Sequence, residues 1–196
     1  MEPLVSSSSS PPVLEAPPYL YKSLSKHEFG CLLAILPREA SNLISLWNQG
    51  NIPQEAIGIG GRETDPHITI KYGFTDNGPG ISQEIRTALS VIGPFPITLG
   101  ELDLFRGNDD GDVLIVEVHS DTLHKLHETF SDNFPNEDSY PTYKSHLTLA
   151  YLDPAWSDRL VSLPHPFTGQ EFTVNEVEWA GMDGYKEVIK LGDSLP

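Results

Sequence analysis

From Phe29 onward, apolar and polar positions fall into blocks whose periods predict their own elements. Phe29–Leu36 is a short, continuous apolar run of the kind a buried strand carries. Pro37 opens a helix with Ala40, Leu43, Ile44 and Trp47 on one face and Gly50 as its stop. Asn51–Asp65 is expected as a loop, because Gly58, Gly60 and Gly61 fall close together in it. Pro66 leads into an alternating strand, His67–Tyr72, and Thr75–Gly80 is turn-rich. Ile81, Ile85, Ala88, Leu89 and Ile92 recur at helical spacing and end at Gly93–Pro94. Ile97–Phe105, bulged at Gly100, and Val113–His119 read as strands joined by a turn over Asn108–Gly111. A third helix starts near Asp121 and buries Leu123, Leu126, His127, Phe130 and Phe134, followed by a loop at Asn136–Pro141. His146–Leu152 is another strand, and a short helix follows near Trp156–Leu163. Phe172–Gly181 and Tyr185–Leu191 form a closing hairpin around Asp183–Gly184.

This order of strands and helices is that of an α+β protein, with antiparallel pairing wherever connections are short. Residues 1–25 stand apart from it. They hold Ser6–Ser10 and Pro11, Pro12, Pro17 and Pro18, a composition that offers too little apolar surface to offset the entropy of ordering. They are expected to be a disordered tail ahead of one domain over 26–196.

Charge narrows the choice of partner. The formal net charge is −16, which disfavours a grip on long nucleic acid, since that needs basic surface to displace counterions. A small anion remains compatible where a few cations gather in one cleft. Cys31 is the single cysteine, so no intrachain disulfide forms, and its apolar setting reads as buried packing. There is no membrane-length apolar stretch and no signal-like N-terminus, so the expected location is the cytoplasm.

One short pattern recurs. Asp65-Pro66-His67-Ile68-Thr69-Ile70-Lys71-Tyr72 matches Lys144-Ser145-His146-Leu147-Thr148-Leu149-Ala150-Tyr151. Alternate side chains of a strand share a face. His67, Thr69 and Lys71 are therefore expected on one face, with Ile68, Ile70 and Tyr72 on the other. His146 and Thr148 share a face in the second copy, joined by Lys144 if the strand reaches back that far, while Leu147, Leu149 and Tyr151 face the core. Side by side, the two strands would set two His–Thr pairs and Lys71 around a phosphate. Cleaving a phosphodiester needs one group to accept a proton and another to donate one. Imidazole, with an unperturbed pKa of about 6.5, serves either role. The threonine hydroxyls can donate to the non-bridging oxygens as charge gathers there, and Lys71 can add a cation. The chemistry calls for no metal and no cofactor.

With HITI and HLTL in hand, the chain resembles the two-histidine (2H, LigT-like) phosphoesterases, from about His27 to Leu191. The resemblance implies a bilobal α+β fold: two pseudo-symmetric lobes of antiparallel sheet, helices outside and a central cleft. It implies a phosphoric diester hydrolase acting on 2′,5′ or 3′,5′ bonds or on 2′,3′-cyclic phosphates. The flanks DPHITIKYGF and YKSHLTLAYL are most similar to the phage anti-CBASS branch, which degrades cyclic oligonucleotide signals. The substrate expected is then a small cyclic nucleotide or oligonucleotide cut at a 3′,5′ bond. The alternatives are an RNA 2′,3′-cyclic or 2′,5′-bond phosphoesterase, or a non-catalytic module that sequesters a nucleotide.

Other features carry less. His119, His124 and His127 have only Asp121 and Glu128 as further nearby ligands, so they are expected as packed or solvated histidines. Gly58-Ile59-Gly60-Gly61 lacks a phosphate-loop pattern and reads as a mobile rim of the cleft. Phe74, Tyr143, Tyr151 and Trp156 flank the motifs and could stack on a base, with core packing the simpler expectation.

Overall fold

A computed structural model describes residues 29–76, 79–107, 110–137, 142–182 and 184–192. The Ser/Pro-rich segment lies outside the described residues. So do the centre of the turn after Phe105, most of the loop expected at Asn136–Pro141, and Asp183. The elements in chain order are β1 (Gly30–Ile35), α1 (Arg38–Asn51), β2 (Ile57–Arg62), β3 (His67–Phe74), α2 (Pro79–Leu89), β4 (Phe95–Phe105), β5 (Asp112–His119), α3 (Asp121–Asn133), β6 (His146–Leu152), α4 (Pro154–Val161), β7 (Glu171–Val174), β8 (Glu176–Ala180) and β9 (Lys186–Lys190). No described helix is long and apolar enough to cross a membrane.

The strands join in one antiparallel sheet of order β7-β4-β5-β6-β3-β1-β8-β9, with β2 added against β6. The order is a palindrome about its centre. Exchanging β3 with β6, β1 with β5, β8 with β4 and β9 with β7 maps one half onto the other. The helices obey the same exchange: α1 follows β1 and lies against β6, while α3 follows β5 and lies against β3. These are the two pseudo-symmetric halves that the repeated motif implies.

Each helix is placed by its apolar stripe. On α1, Ala40, Ile44, Trp47 and Asn48 are buried; on α3, Leu123, Leu126 and Phe130 are. Asp153 caps α4 by accepting a hydrogen bond from the Ala155 amide at 2.9 Å, with Pro154 in the first turn. The α1 helix runs past Gly50, the expected stop, and its end is tied down from outside. The Arg62 guanidinium donates to the Asn48 carbonyl at 2.6 Å, which also accepts from the Ile52 amide, and to the Ile52 carbonyl just past the helix end at 2.7 Å.

Two expectations are corrected. The glycine-rich stretch after α1 is a short 3₁₀ turn, Gln54–Ala56, and then strand β2, not a loop or a mobile rim. Its glycines answer to packing. A Cβ at Gly60 would sit 2.1 Å from the Tyr151 ring, and one at Gly58 would press on the Leu152 backbone and the Asp110 carbonyl. The segment Phe172–Gly181 is likewise two strands, broken at Asn175: β7 pairs with β4 and β8 with β1, and the hairpin is β8–β9. Strands at opposite ends of the sheet order are thus joined through one residue, so the sheet curls until its ends approach.

The packing of β2 onto β6 gives a test. Gly60→Ala should lower the stability to urea by about 1–3 kcal/mol, the usual cost of overpacking, while Gly50→Ala, whose Cβ would meet nothing within 4 Å, should leave it unchanged or raised. Equal midpoints for the two variants would show that contact with Tyr151 does not explain Gly60.

Candidate active site

The two motif strands meet at the middle of the sheet through a single register pair, Ile68 opposite Leu147. One residue either side of that pair stand His67 and Thr69 in β3 and Thr148 and His146 in β6, so continuing the register would direct each histidine toward the threonine of the other copy, with the imidazoles on a diagonal. All four side chains are half-buried, whereas Ile68, Ile70, Leu147 and Leu149 are fully covered in the core on the opposite face.

Both histidines are oriented by one local device. His67 Nδ1 donates to the Asp65 carbonyl at 2.8 Å, and His146 Nδ1 donates to the Lys144 carbonyl at 2.7 Å. In each case the acceptor lies two residues upstream. The neutral tautomer is thereby set with its proton on Nδ1 and its lone pair on Nε2. The two rings are not electrically equal. Burial pushes the His146 pKa below its ordinary value; the hydrogen bond to the Lys144 carbonyl opposes this, and the nearby charges of His67 and Lys144 add to it.

Past each threonine the strand breaks period. In β3 the register with β1 slips between Leu33↔Thr69 and Leu32↔Lys71. In β6 the register with β5 slips between Ile115↔Thr148 and Leu114↔Ala150. The two bulges occupy the same motif position, Ile70–Lys71 and Leu149–Ala150. Each bulge puts two successive residues on the core side and reverses the alternation beyond.

That reversal corrects the expected place of Lys71. It does not flank His67 and Thr69 but lies opposite core residue Leu32, with 1% of its surface exposed. Tyr72 is reversed as well. It lies opposite Cys31 on the histidine face, is 42% exposed and meets the Phe29 ring edge-on at 5.7 Å. Tyr151 shares the corresponding position in β6 and packs beneath Gly60. Cys31 is buried as expected, and burial first, then Glu178, push its thiol up to about 11. Phe74 is wholly buried and packs edge-on against Phe130, Phe134 and Trp179, and Trp156 is partly buried against the core.

Side chains from the helices and the preceding loop seal the bulges. Asn48, buried on α1, donates to the Leu149 carbonyl at 2.7 Å. His127 on α3 donates through Nδ1 to the Ile70 carbonyl at 2.8 Å. These are symmetry-equivalent contacts, made by different residue types. Tyr143 stacks on His127 with centroids 4.1 Å apart and donates its hydroxyl to the Thr69 carbonyl at 2.9 Å. His127 and Tyr143 thus support the motif from beneath. His124 lies edge-on to Tyr143 and 3.5 Å from the Ser145 hydroxyl. Among the described residues, no three His, Cys, Asp or Glu side chains converge as metal ligands.

Residues 51–185 match the family model of the 2′-5′ RNA ligase superfamily. No curated protein matches the chain. Solved structures share its fold at low identity. TT0787 of Thermus thermophilus aligns with a TM-score of 0.57 at 15% identity, over 85% of this chain and 100% of that one. E. coli LigT complexed with phosphate aligns with a TM-score of 0.52 at 17% identity, over 85% of this chain and 96% of LigT. LigT complexed with 3′-AMP gives 0.55 at 17% identity, over 83% and 94%.

The local geometry is open to direct measurement. Nitrogen chemical shifts of the neutral rings of His67, His127 and His146 should all report the Nδ1–H tautomer. The His146 resonances should titrate below the ordinary histidine value of about 6.5. A midpoint for His146 above that value would contradict the burial that depresses it.

Proposed function

The chain belongs to the 2′-5′ RNA ligase superfamily, and on that footing we propose that it is a metal-independent phosphodiesterase with His67 and His146 as its acid–base pair. The observation that carries the reading is the matched pair of histidines. Two imidazoles on adjoining strands are held in one tautomer by one device, and the register of those strands would direct each toward the threonine of the other motif copy. A phosphate seated between them would meet an Nε2 on either side of phosphorus and a hydroxyl beside each.

The roles follow from the asymmetry. His146, whose environment favours the neutral ring, is the base in the first step. Its Nε2 takes the proton of a ribose 2′-hydroxyl as that oxygen attacks phosphorus. The bond from phosphorus to the 5′ oxygen breaks, and His67, protonated on Nε2, gives its proton to the leaving oxygen. The product is a 2′,3′-cyclic phosphate. Water opens it with the roles reversed: His67 now takes the proton from water and His146 returns one to the released ribose oxygen. Thr69 and Thr148 donate to the non-bridging oxygens, where the transition state gathers charge.

The finer reading concerns substrate. The net charge of −16 favours a small ligand over long RNA. The exposed Tyr72 ring on the His67 face offers a nucleobase a stacking surface, worth about 1–3 kcal/mol per base. We assign the substrate to the small cyclic nucleotides or oligonucleotides with 3′,5′ linkages, as in the phage enzymes that evade CBASS immunity.

Turnover with cyclic di- and trinucleotides, 2′,3′-cyclic mononucleotides and 2′,5′-linked oligonucleotides, all in excess EDTA, tests this reading. Cleavage of the first group is expected. Cleavage of only the latter two would shift the substrate class, and recovery of every ligand intact on denaturation would mark a sequestering module. His67→Ala and His146→Ala should each lower kcat by about 10²–10⁴-fold. The double variant should be little worse than either single one, because the pair acts as a unit. Thr69→Ala and Thr148→Ala should cost on the order of 10–10³-fold. Wild-type turnover in either histidine variant would remove that residue from the site.

A further inference from the structure

Beside His146 stands a charge cluster that the proposed reaction does not use. The Lys144 ammonium reaches Asp103 of β4 at 2.5 Å and Glu117 of β5 at 2.8 Å. It also lies 5.8 Å from the centroid of the Phe105 ring, which in turn meets the His146 ring edge-on at 4.8 Å. The carbonyl of the same lysine receives His146 Nδ1–H. Glu117 is the direct cross-strand partner of His146, and Asp103 is that of Ile115, one step along the same face. The corresponding residue before His67 is the carboxylate Asp65, which lies near the Lys186–Glu178 pair, so the lysine of the cluster is not repeated at that position across the pseudo-dyad.

The cluster solves an electrostatic problem. A carboxylate opposite an imidazole favours the protonated ring. Glu117, with no ammonium beside it, would shift the balance toward the imidazolium and weaken His146 as a base. The charged groups around His146 are Glu117 from β5, Asp103 from β4, Lys144 on its own approach and His67 from β3. Lys144 stands between the two carboxylates and occupies both. Its hydrogen bond holds the Asp103 carboxyl below the usual range. Partial burial works against the ammonium, yet its bonds to Asp103 and Glu117 carry it above the ordinary lysine value. Lys144 and Asp103 therefore stay charged together across the neutral range.

We propose that Lys144 is the positioning residue of His146: clamped by Asp103 and Glu117, it fixes the carbonyl that orients the ring and offsets one of the two negative charges that favour the imidazolium. The clamp adds to the burial that favours His146 as the base of the first step. This inference rests on the acid–base pair proposed above, but it is tested without turnover.

The test follows the His146 ring resonances through a pH titration of the folded protein, with circular dichroism as the check of folding. Lys144→Met removes the ammonium and leaves Asp103 and Glu117 uncompensated, so the midpoint should rise by about one pH unit. Glu117→Gln leaves the ammonium less compensated, so the midpoint should fall. Lys144→Arg should restore the wild-type value. Opposite shifts from two partners of one ion pair are not what a general loss of packing produces. In kinetics, the acid limb of kcat/KM should move with the midpoint, so that at about pH 5.5 Lys144→Met loses up to about 10-fold relative to wild type. An unmoved midpoint in Lys144→Met, or shifts of the same sign in Lys144→Met and Glu117→Gln, would overturn the proposal. Midpoints that shift as stated in a protein that cleaves nothing would keep the clamp and discard the phosphodiesterase reading.

Discussion

The cleft depends on two bulges and on the side chains that close them. A nine-stranded antiparallel sheet with continuous pairing between β3 and β6 would have no gap at its centre. Here the two strands share one register pair and then part. Parting strands leave carbonyls unpaired in the interior, and each such group costs about 1–3 kcal/mol if it stays unsatisfied. The Leu149 carbonyl accepts from the Glu63 amide at 2.9 Å and again from Asn48 of α1, while His127 from α3 and Tyr143 from the preceding loop take the carbonyls of Ile70 and Thr69. With these bonds the sheet can open, and the opening is where both histidines turn their Nε2 atoms.

The same bulges mark where the sequence could and could not be read. The motif strands, the three longer helices and the β8–β9 hairpin follow from apolar period alone, because one face of each is buried and any shift would expose it. Parity also gives the His–Thr faces. It fails one residue later, at Lys71 and Tyr72, because a bulge adds a residue without changing the composition of the strand. The sequence does carry a trace of it. Lys71 aligns with Ala150 in the second copy, and a small apolar residue suits a covered site better than a phosphate cleft. The strand β2 is hidden for a different reason. Gly58 and Gly60, which elsewhere would signal a turn, are demanded by the Leu152 backbone and the Tyr151 ring in another part of the chain, and Gly61 by its left-handed backbone. The supporting Asn48 has no local signal at all, since its partners, Leu149 and Arg62, are distant in sequence.

Pseudo-symmetry explains why the site must also be made unequal. Two copies of one motif give two imidazoles of the same tautomer. Proton transfer in opposite directions needs them to differ. The difference begins with burial, which lowers the His146 pKa, and is added to two residues upstream, where Asp65 stands before one histidine and Lys144 before the other. The backbone role of the two residues is the same, each offering its carbonyl to Nδ1. Their side chains carry opposite charge, so one structural position serves orientation in both copies and polarity between them.

This local arrangement also reconciles an acidic protein with an anionic ligand. At physiological salt, charges beyond about 8 Å are largely screened, so the overall charge governs encounter with long polyanions more than the field at the reacting atoms. Around His146 that field comes from burial, the Lys144 carbonyl, His67 and the Lys144 ammonium, which is itself bonded to Asp103 and Glu117. The ammonium offsets one of the two carboxylates, so the cluster keeps a single net negative charge. The groups that the motif strands turn toward a phosphate are hydroxyls and imidazoles. Such a surface binds the ground state weakly and responds most strongly when charge moves onto the non-bridging oxygens, which is the condition for stabilising a transition state more than its substrate.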